Sequence, residues 1–108
     1  MDFESLYRTA HDKFFAENPR ALVEIESVSR SLIEAVGITV EEYRKQKRRE
    51  IFADAAKRSG LDIDEFVIRL VAESPEQAQA WRLERQSEIA DILGIEWSEY
   101  KIMNNIFD

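Results

Sequence analysis

The chain has 108 residues, the length of a single domain, and its 44% hydrophobic and 34% charged residues are typical of a globular protein. The absence of cysteine excludes disulfides, thiolate metal sites and cysteine nucleophiles. With 22 acidic and 15 basic residues the formal charge is −7, which disfavours general binding to nucleic acid. We therefore predict one acidic domain over residues 1–108.

The N-terminal sequence MDFESLYRTAHDKFF carries charge throughout and has no apolar run of the kind found in secretory signals. No window reaches the ~18 uninterrupted apolar residues of a membrane span. These features predict a soluble, cytoplasmic protein without a membrane partner.

Apolar residues recur at helical spacing along the whole chain, and helix-capping residues separate the segments. Asn18 with Pro19, and Ser74 with Pro75, are typical of an N-cap followed by proline at the first helical position. We predict helices over 3–16, 19–36, 40–59, 63–73 and 75–93, and a short one from Trp97. No strand pattern is present and the loops are short, so the expected fold is all-α, a compact bundle of five to six helices.

One pattern occurs three times, at residues 37–43, 60–66 and 94–100: glycine, aliphatic, polar, apolar, polar, glutamate, aromatic. The glycine is expected to end a helix in the left-handed conformation, and the polar residue two positions later to cap the next helix. The glutamate would complete a capping box, and the aliphatic and aromatic residues a hydrophobic staple. The glycines stand 23 and 34 residues apart, whereas a solenoid needs a fixed period. The pattern therefore indicates repeated helix ends.

The sequence offers little chemistry. His11 is the only histidine, and we expect it to pack between Tyr7 and Phe14 or Phe15, because no nucleophile or orienting partner can be identified. Acidic residues line one strip of the helix over 75–93 without the Glu-x-x-His pairs of a helical metal site; these are Glu84, Glu88 and Asp91. We predict no catalytic residue, no metal and no cofactor, and therefore no enzyme.

Five cations fall within six residues, Arg44, Lys45, Lys47, Arg48 and Arg49. Residues 37–60 carry a charge of +3, whereas residues 61–108 carry −7. The cations could cover the edge of the core and pair with the acidic helices that follow, or form a basic patch for an acidic protein, a nucleotide or RNA. Arg44 and Arg48 are expected beside the apolar stripe, and Lys45 and Arg49 further from it.

The C-terminal segment is apolar nearly all round and provides the second set of candidate partner-binding residues, Trp97, Tyr100, Met103 and Phe107, with Ile102 and Ile106 on the other side. Such a short helix either fills a groove in its own domain or pairs with another chain. Upstream, Ile89, Ile92 and Leu93 are expected to face inward.

Residues 49–73 resemble the two helices of ribbon-helix-helix repressors, although the basic strand that reads DNA in that family is replaced here by a capped helix. Over nearly the whole chain, Asn18-Pro19, the turns at Gly37 and Gly60, residues 72–76, Trp81-Arg82-Leu83 and residues 94–100 resemble a family of small, uncharacterised all-helical proteobacterial proteins. That family has no assigned activity, so the resemblance implies a bacterial, cytoplasmic origin and no site residues.

The first hypothesis is a non-enzymatic protein-interaction module: a small acidic regulator, inhibitor or immunity-type protein that binds another protein or a second copy of itself as a homodimer. The alternative is a nucleic-acid-associated regulator that uses the basic run over residues 44–49.

Overall fold

The computed structural model describes residues 2–106, which form seven α-helices and no β-strand. The helices are α1 (Phe3–Glu17), α2 (Pro19–Glu26), α3 (Arg30–Ala35), α4 (Val40–Arg58), α5 (Ile63–Val71), α6 (Pro75–Leu93) and α7 (Trp97–Met103). The all-α prediction is confirmed, and the number of helices exceeds the expected five to six.

The additional helix arises because the segment over 19–36 is not continuous, so the prediction of one helix there is wrong. The side chain of Ser27 donates a 2.7 Å hydrogen bond to the carbonyl of Glu24, and the hydroxyl of Ser29 accepts one from the amide of Leu32 at 3.4 Å. Serine hydroxyls compete in this way for backbone groups that would otherwise continue a helix. Ser29 thus caps α3 and separates it from α2.

The other helix starts largely follow the predicted caps. Thr39, Asp62 and Ser74 accept hydrogen bonds from the amides three residues later, at 3.1, 2.8 and 3.1 Å. Asn18 makes no side-chain cap bond to α2; its amide group donates instead to the carbonyl of Phe14 at 2.8 Å. Glu96, the polar residue of the third repeat, also makes none, because glutamate is a poor N-cap.

The three repeated glycines all have positive φ, at 85°, 74° and 71°. After Gly60 and Gly94, the next amide donates to the carbonyl five residues earlier, at 3.1 and 3.0 Å, as in a Schellman motif. The glycine part of the repeated pattern is confirmed. The reciprocal capping-box bond is not formed at Glu65, whose carboxylate binds arginines instead.

The core lies where α1 packs against α5, with α4 and α6 on either side. Its centre is Phe52, which is fully buried and meets the rings of Tyr7, His11, Phe14 and Phe66 at centroid distances of 5.4, 4.9, 5.6 and 5.1 Å. Edge-to-face packing of this kind adds to the stabilisation from burial.

The molecule is elongated, at 54 × 30 × 23 Å, with a radius of gyration of 17.3 Å, against about 13 Å for a compact domain of this length. The expected compact bundle is therefore not observed. In the described part of the chain, α3 packs mainly on α4, and α7 on α6. Within residues 2–106 no helix is long and apolar enough to cross a membrane.

Candidate protein-interaction surfaces

A network of arginines and carboxylates fixes α6 against α5. The Nε atom of Arg82 donates to both carboxylate oxygens of Glu65, at 2.9 and 2.7 Å, and Arg69 donates to the same carboxylate at 2.9 Å. Burial would raise the pKa of Glu65, but the hydrogen bonds from Arg82 and Arg69 outweigh it and hold the pKa below its ordinary value. Glu65 therefore stays ionised in its half-buried position.

Arg85 makes the second link of this network. It bonds Asp64 at 2.9 Å and Glu88 at 3.2 Å, and its guanidinium lies 4.2 Å from the centroid of the Phe3 ring. Partial burial would lower the pKa of Arg85, but the hydrogen bonds that it donates to Asp64 and Glu88 outweigh burial and raise the pKa. Arg82 and Arg85 thus neutralise acidic groups on α5 from within α6.

The basic run on α4 does not take part in this neutralisation. Among the described residues its one ion pair joins Lys47 to Glu50 on the same helix, at 3.1 Å, and Lys47 also lies 5.6 Å from the centre of the Tyr43 ring. Of the two alternatives for this run, pairing with α5 and α6 is not observed in the described part of the chain.

The five cations divide into two groups by exposure: Arg44, Lys47 and Arg48 are half-buried, whereas Lys45 and Arg49 are exposed. Lys45 lies seven residues before Phe52, and Arg49 seven before Ala56, so the exposed pair lies on the face that becomes buried further along α4. The expectation that Lys45 and Arg49 point away from the apolar face is wrong. They remain exposed because only Phe52 and Ala56 of α4 are buried, so its first half extends beyond the core.

His11 lies in the aromatic cluster, with ring centroids of Tyr7 at 5.5 Å, Phe15 at 5.1 Å and Phe52 at 4.9 Å. Its Nε2 atom is buried and has no hydrogen-bond partner. Burial lowers the pKa of His11, and the positive charge of Arg48 lowers it further. His11 is thus a neutral packing residue at the ordinary physiological pH, in the aromatic surroundings that its spacing predicts.

A surface with exposed apolar side chains lies in the C-terminal part of the described chain, on α6 and α7. We define the α6–α7 tip as residues 90–106, the last turn of α6 together with α7 and the residues that follow it. No residue of α7 is buried. The tip exposes four large apolar side chains: Ile92 is 77% exposed, Leu93 60%, Ile102 79% and Met103 65%. Large apolar side chains left exposed in this number are candidates for an interaction site.

The residues predicted to bind a partner in this segment differ in how exposed their side chains are. Trp97 and Tyr100 are half-buried and stack on each other at 5.9 Å, and Lys101 lies 5.8 Å from the Trp97 ring centre. Met103 is exposed, as a partner-binding residue requires. Phe107 lies outside the described residues. Sequence analysis missed Ile92 and Leu93, which it placed inward, because periodicity identifies an apolar position and not whether another element covers it.

The outer side of α7 has a shallow depression of about 470 Å³, lined by Ser98, Lys101, Ile102, Asn105 and Ile106. Exposed carboxylates accompany the apolar residues along the sequence: Asp91, Glu96 and Glu99 are all exposed, and Lys101 is the one cation in residues 90–106 of the sequence. The tip therefore combines exposed apolar side chains with three exposed carboxylates, which we call its acidic rim.

Other large apolar side chains are exposed on α2, on α3 and directly after α3: Val23 is 64% exposed, Leu32 66% and Val36 73%. Another depression, of about 510 Å³, lies between α1, α2 and α4. Its wall carries charged side chains of both signs, including Glu17, Arg20, Glu24 and Arg58. Residues 2–106 contain no group of three or more side chains able to hold a metal ion.

The chain belongs to a family of unknown function, DUF6388, whose pattern matches residues 1–106. This membership agrees with the resemblance to a family without assigned activity and covers all seven helices. No curated protein and no solved structure matches the chain. An argument about function therefore depends on the surfaces described above.

Proposed function

We propose that this protein is a non-enzymatic protein-interaction module, a small acidic regulator or inhibitor that holds a protein partner on the α6–α7 tip. One observation supports the proposal above all: Ile92, Leu93, Ile102 and Met103 are each at least 60% exposed, near the C-terminal ends of α6 and α7. Leaving such side chains in water costs free energy that a partner would recover by covering them.

The depression on α7 supports the same site. Ile102 and Ile106 line a concavity into which a partner's side chain can insert, and buried anchors in such pockets contribute most of the binding energy of typical interfaces. The ion pairs of Arg82 and Arg85 hold the preceding part of α6 on α5. A binding surface that is held in place before binding loses less entropy when it binds.

The cysteine-free composition suits a reducing compartment, and we place the protein in the bacterial cytoplasm as part of this proposal. A regulator of this kind needs no reactive group of its own. It acts by occupying the surface of its partner.

The proposal is tested by capture from the native host with tagged protein in three forms: unchanged, Ile102→Asn with Met103→Asn, and Leu32→Asn with Val36→Asn. Leu32 on α3 and Val36 directly after it are 66% and 73% exposed, so the second double variant is a matched control for apolar surface. A partner qualifies only when the purified pair binds directly. We expect the tip variant to lose that binding and the α3 variant to keep it, and equal binding by both would contradict the proposal.

The alternative function, a nucleic-acid-associated regulator, is favoured by one observation: Lys45 and Arg49 are exposed on one face of α4, outside the core. Binding through these cations would weaken steeply with salt as counterions are released from the phosphates. Fluorescence anisotropy with single- and double-stranded probes at low and high salt tests it. We expect no salt-sensitive binding at micromolar protein.

A further inference from the structure

The charge around the α6–α7 tip restricts the kind of partner that can cover it, and this inference rests on the proposed function. Asp91, Glu96 and Glu99 are exposed in the same segment as the apolar side chains, and no ion pair within residues 2–106 uses them. A partner that covers the apolar centre must approach these carboxylates closely. Cationic groups at its edge would be attracted, and carboxylates there would be repelled.

Symmetry disfavours a second copy of the chain as the occupant. A two-fold contact places the same patch of each copy against the other, so the carboxylate rims of both copies would meet at the same interface. Like charges brought together at an interface oppose association. The acidic rim therefore acts against self-association through this tip.

The shape of the tip suggests the form of the partner segment. The apolar residues belong to two short helical stretches, and the depression on α7 is shallow and open along the helix. An amphipathic helix presents an apolar stripe with charged flanks and suits a surface of this form. We propose that the α6–α7 tip binds a basic amphipathic helix of another protein, with apolar anchors over Ile102 and lysines or arginines against the acidic rim.

Designed peptides test this inference in purified components. One probe has leucines at positions i, i+3, i+4 and i+7 and lysines elsewhere. The second has glutamates in place of the lysines, and the third has serines in place of the leucines. We expect measurable binding of the leucine–lysine peptide in fluorescence anisotropy, and much weaker binding of the other two. Equal affinity for the glutamate peptide, or no binding of the lysine peptide at high micromolar protein, would overturn the inference.

Variants locate the binding. Ile102→Asn with Met103→Asn should weaken the leucine–lysine peptide about tenfold or more, whereas Leu32→Asn with Val36→Asn should leave its affinity unchanged. Glu96→Gln with Glu99→Gln should weaken it severalfold and flatten its salt dependence. The matched charge control is Glu24→Gln with Glu26→Gln, on exposed positions of α2. This control should change neither the affinity for the peptide nor its salt dependence. If the two charge variants behave alike, the peptide responds to net charge and the inference fails.

Sedimentation velocity on the protein alone separates this inference from the proposed function. We expect a monomer. A dimer that the Ile102→Asn and Met103→Asn variant abolishes would overturn the inference in favour of a second copy, while the tip would remain an interaction surface. If instead the captured host partner binds the tip variant normally, the proposed function itself fails, whatever the peptides show.

Discussion

Arg82 on α6 donates from one nitrogen to both carboxylate oxygens of Glu65 on α5, at 2.9 and 2.7 Å. The two residues are 17 positions apart in sequence, and their side chains are 32% and 16% exposed. This contact joins α6 to α5 before the chain reaches the α6–α7 tip.

Removing this contact should destabilise the protein. Arg82→Ala should lower the free energy of unfolding by about 1–3 kcal/mol, because it leaves a mostly buried carboxylate without its main donor. Urea unfolding monitored by circular dichroism measures the change. Arg30→Ala is the matched control, since Arg30 and its partner Glu34 are 80% and 52% exposed, and we expect no measurable change there. Equal changes in the free energy of unfolding would show that the Arg82 contact stabilises the fold no more than an exposed ion pair does.

Stability should fall below neutral pH because of His11. Its folded-state pKa is lowered by burial and by Arg48, so on acidification the unfolded chain takes up a proton that the folded chain resists. Stability is therefore fully present above the unfolded pKa, about 6.5, and is lost as the pH falls from there toward the folded pKa. Urea unfolding at about pH 7.5 and about pH 5.5 should show the loss.

His11 is the one histidine of the sequence, so a substitution isolates its contribution. His11→Phe keeps an aromatic ring in the cluster and removes the titrating group. Its unfolding free energy should change less between the two pH values than that of the unchanged protein. The same pH dependence in both proteins would exclude His11 as its source.

The left-handed conformation of Gly60 should make alanine costly there. Gly60 has a φ of 74°, and no heavy atom lies within 4 Å of an added Cβ, so the cost comes from the backbone alone. We expect Gly60→Ala to destabilise by about 1 kcal/mol or more, and Gly60→Asn to destabilise less, because asparagine tolerates this conformation better. Thermal unfolding of both variants measures the difference, and a more stable alanine variant would contradict the account of this helix end.

Charge reversal on α4 should destabilise the protein at its half-buried cations and have little effect on stability at its exposed ones. Arg44→Glu with Arg48→Glu should destabilise by about 1 kcal/mol or more, because their stems are partly buried at the edge of the core. Lys45→Glu with Arg49→Glu should change stability little. The two melting temperatures decide this. The reverse order would show that the exposed face of α4 supports the fold.

The local features of this fold were predictable because they depend on neighbouring residues. Thr39, Asp62 and Ser74 cap helices within three positions of themselves, and the glycines end helices by their own backbone freedom. The break at Ser29 was missed because apolar spacing continues across it, from Ile25 to Leu32.

The features that depend on distant parts of the chain were not predictable in this way. The partner of Glu65 is on another helix, so capping rules alone assigned it a different role. Ile92 and Leu93 have the spacing of core residues, but α6 extends beyond the elements that could cover them. Exposure there is a property of the arrangement of the helices, and it is this arrangement that reveals the tip.

Site-specific photo-crosslinking in the native host tests the proposed interaction most directly. A photoreactive phenylalanine analogue replaces Ile102 in one strain and Leu32 in another, since both side chains are exposed and apolar. We predict a discrete protein adduct from position 102 that is lost when Glu96 and Glu99 are reversed to lysine, and no such adduct from position 32. Adducts of equal yield from both positions, or none from position 102 in an otherwise functional protein, would contradict the claim that the α6–α7 tip is the interaction surface.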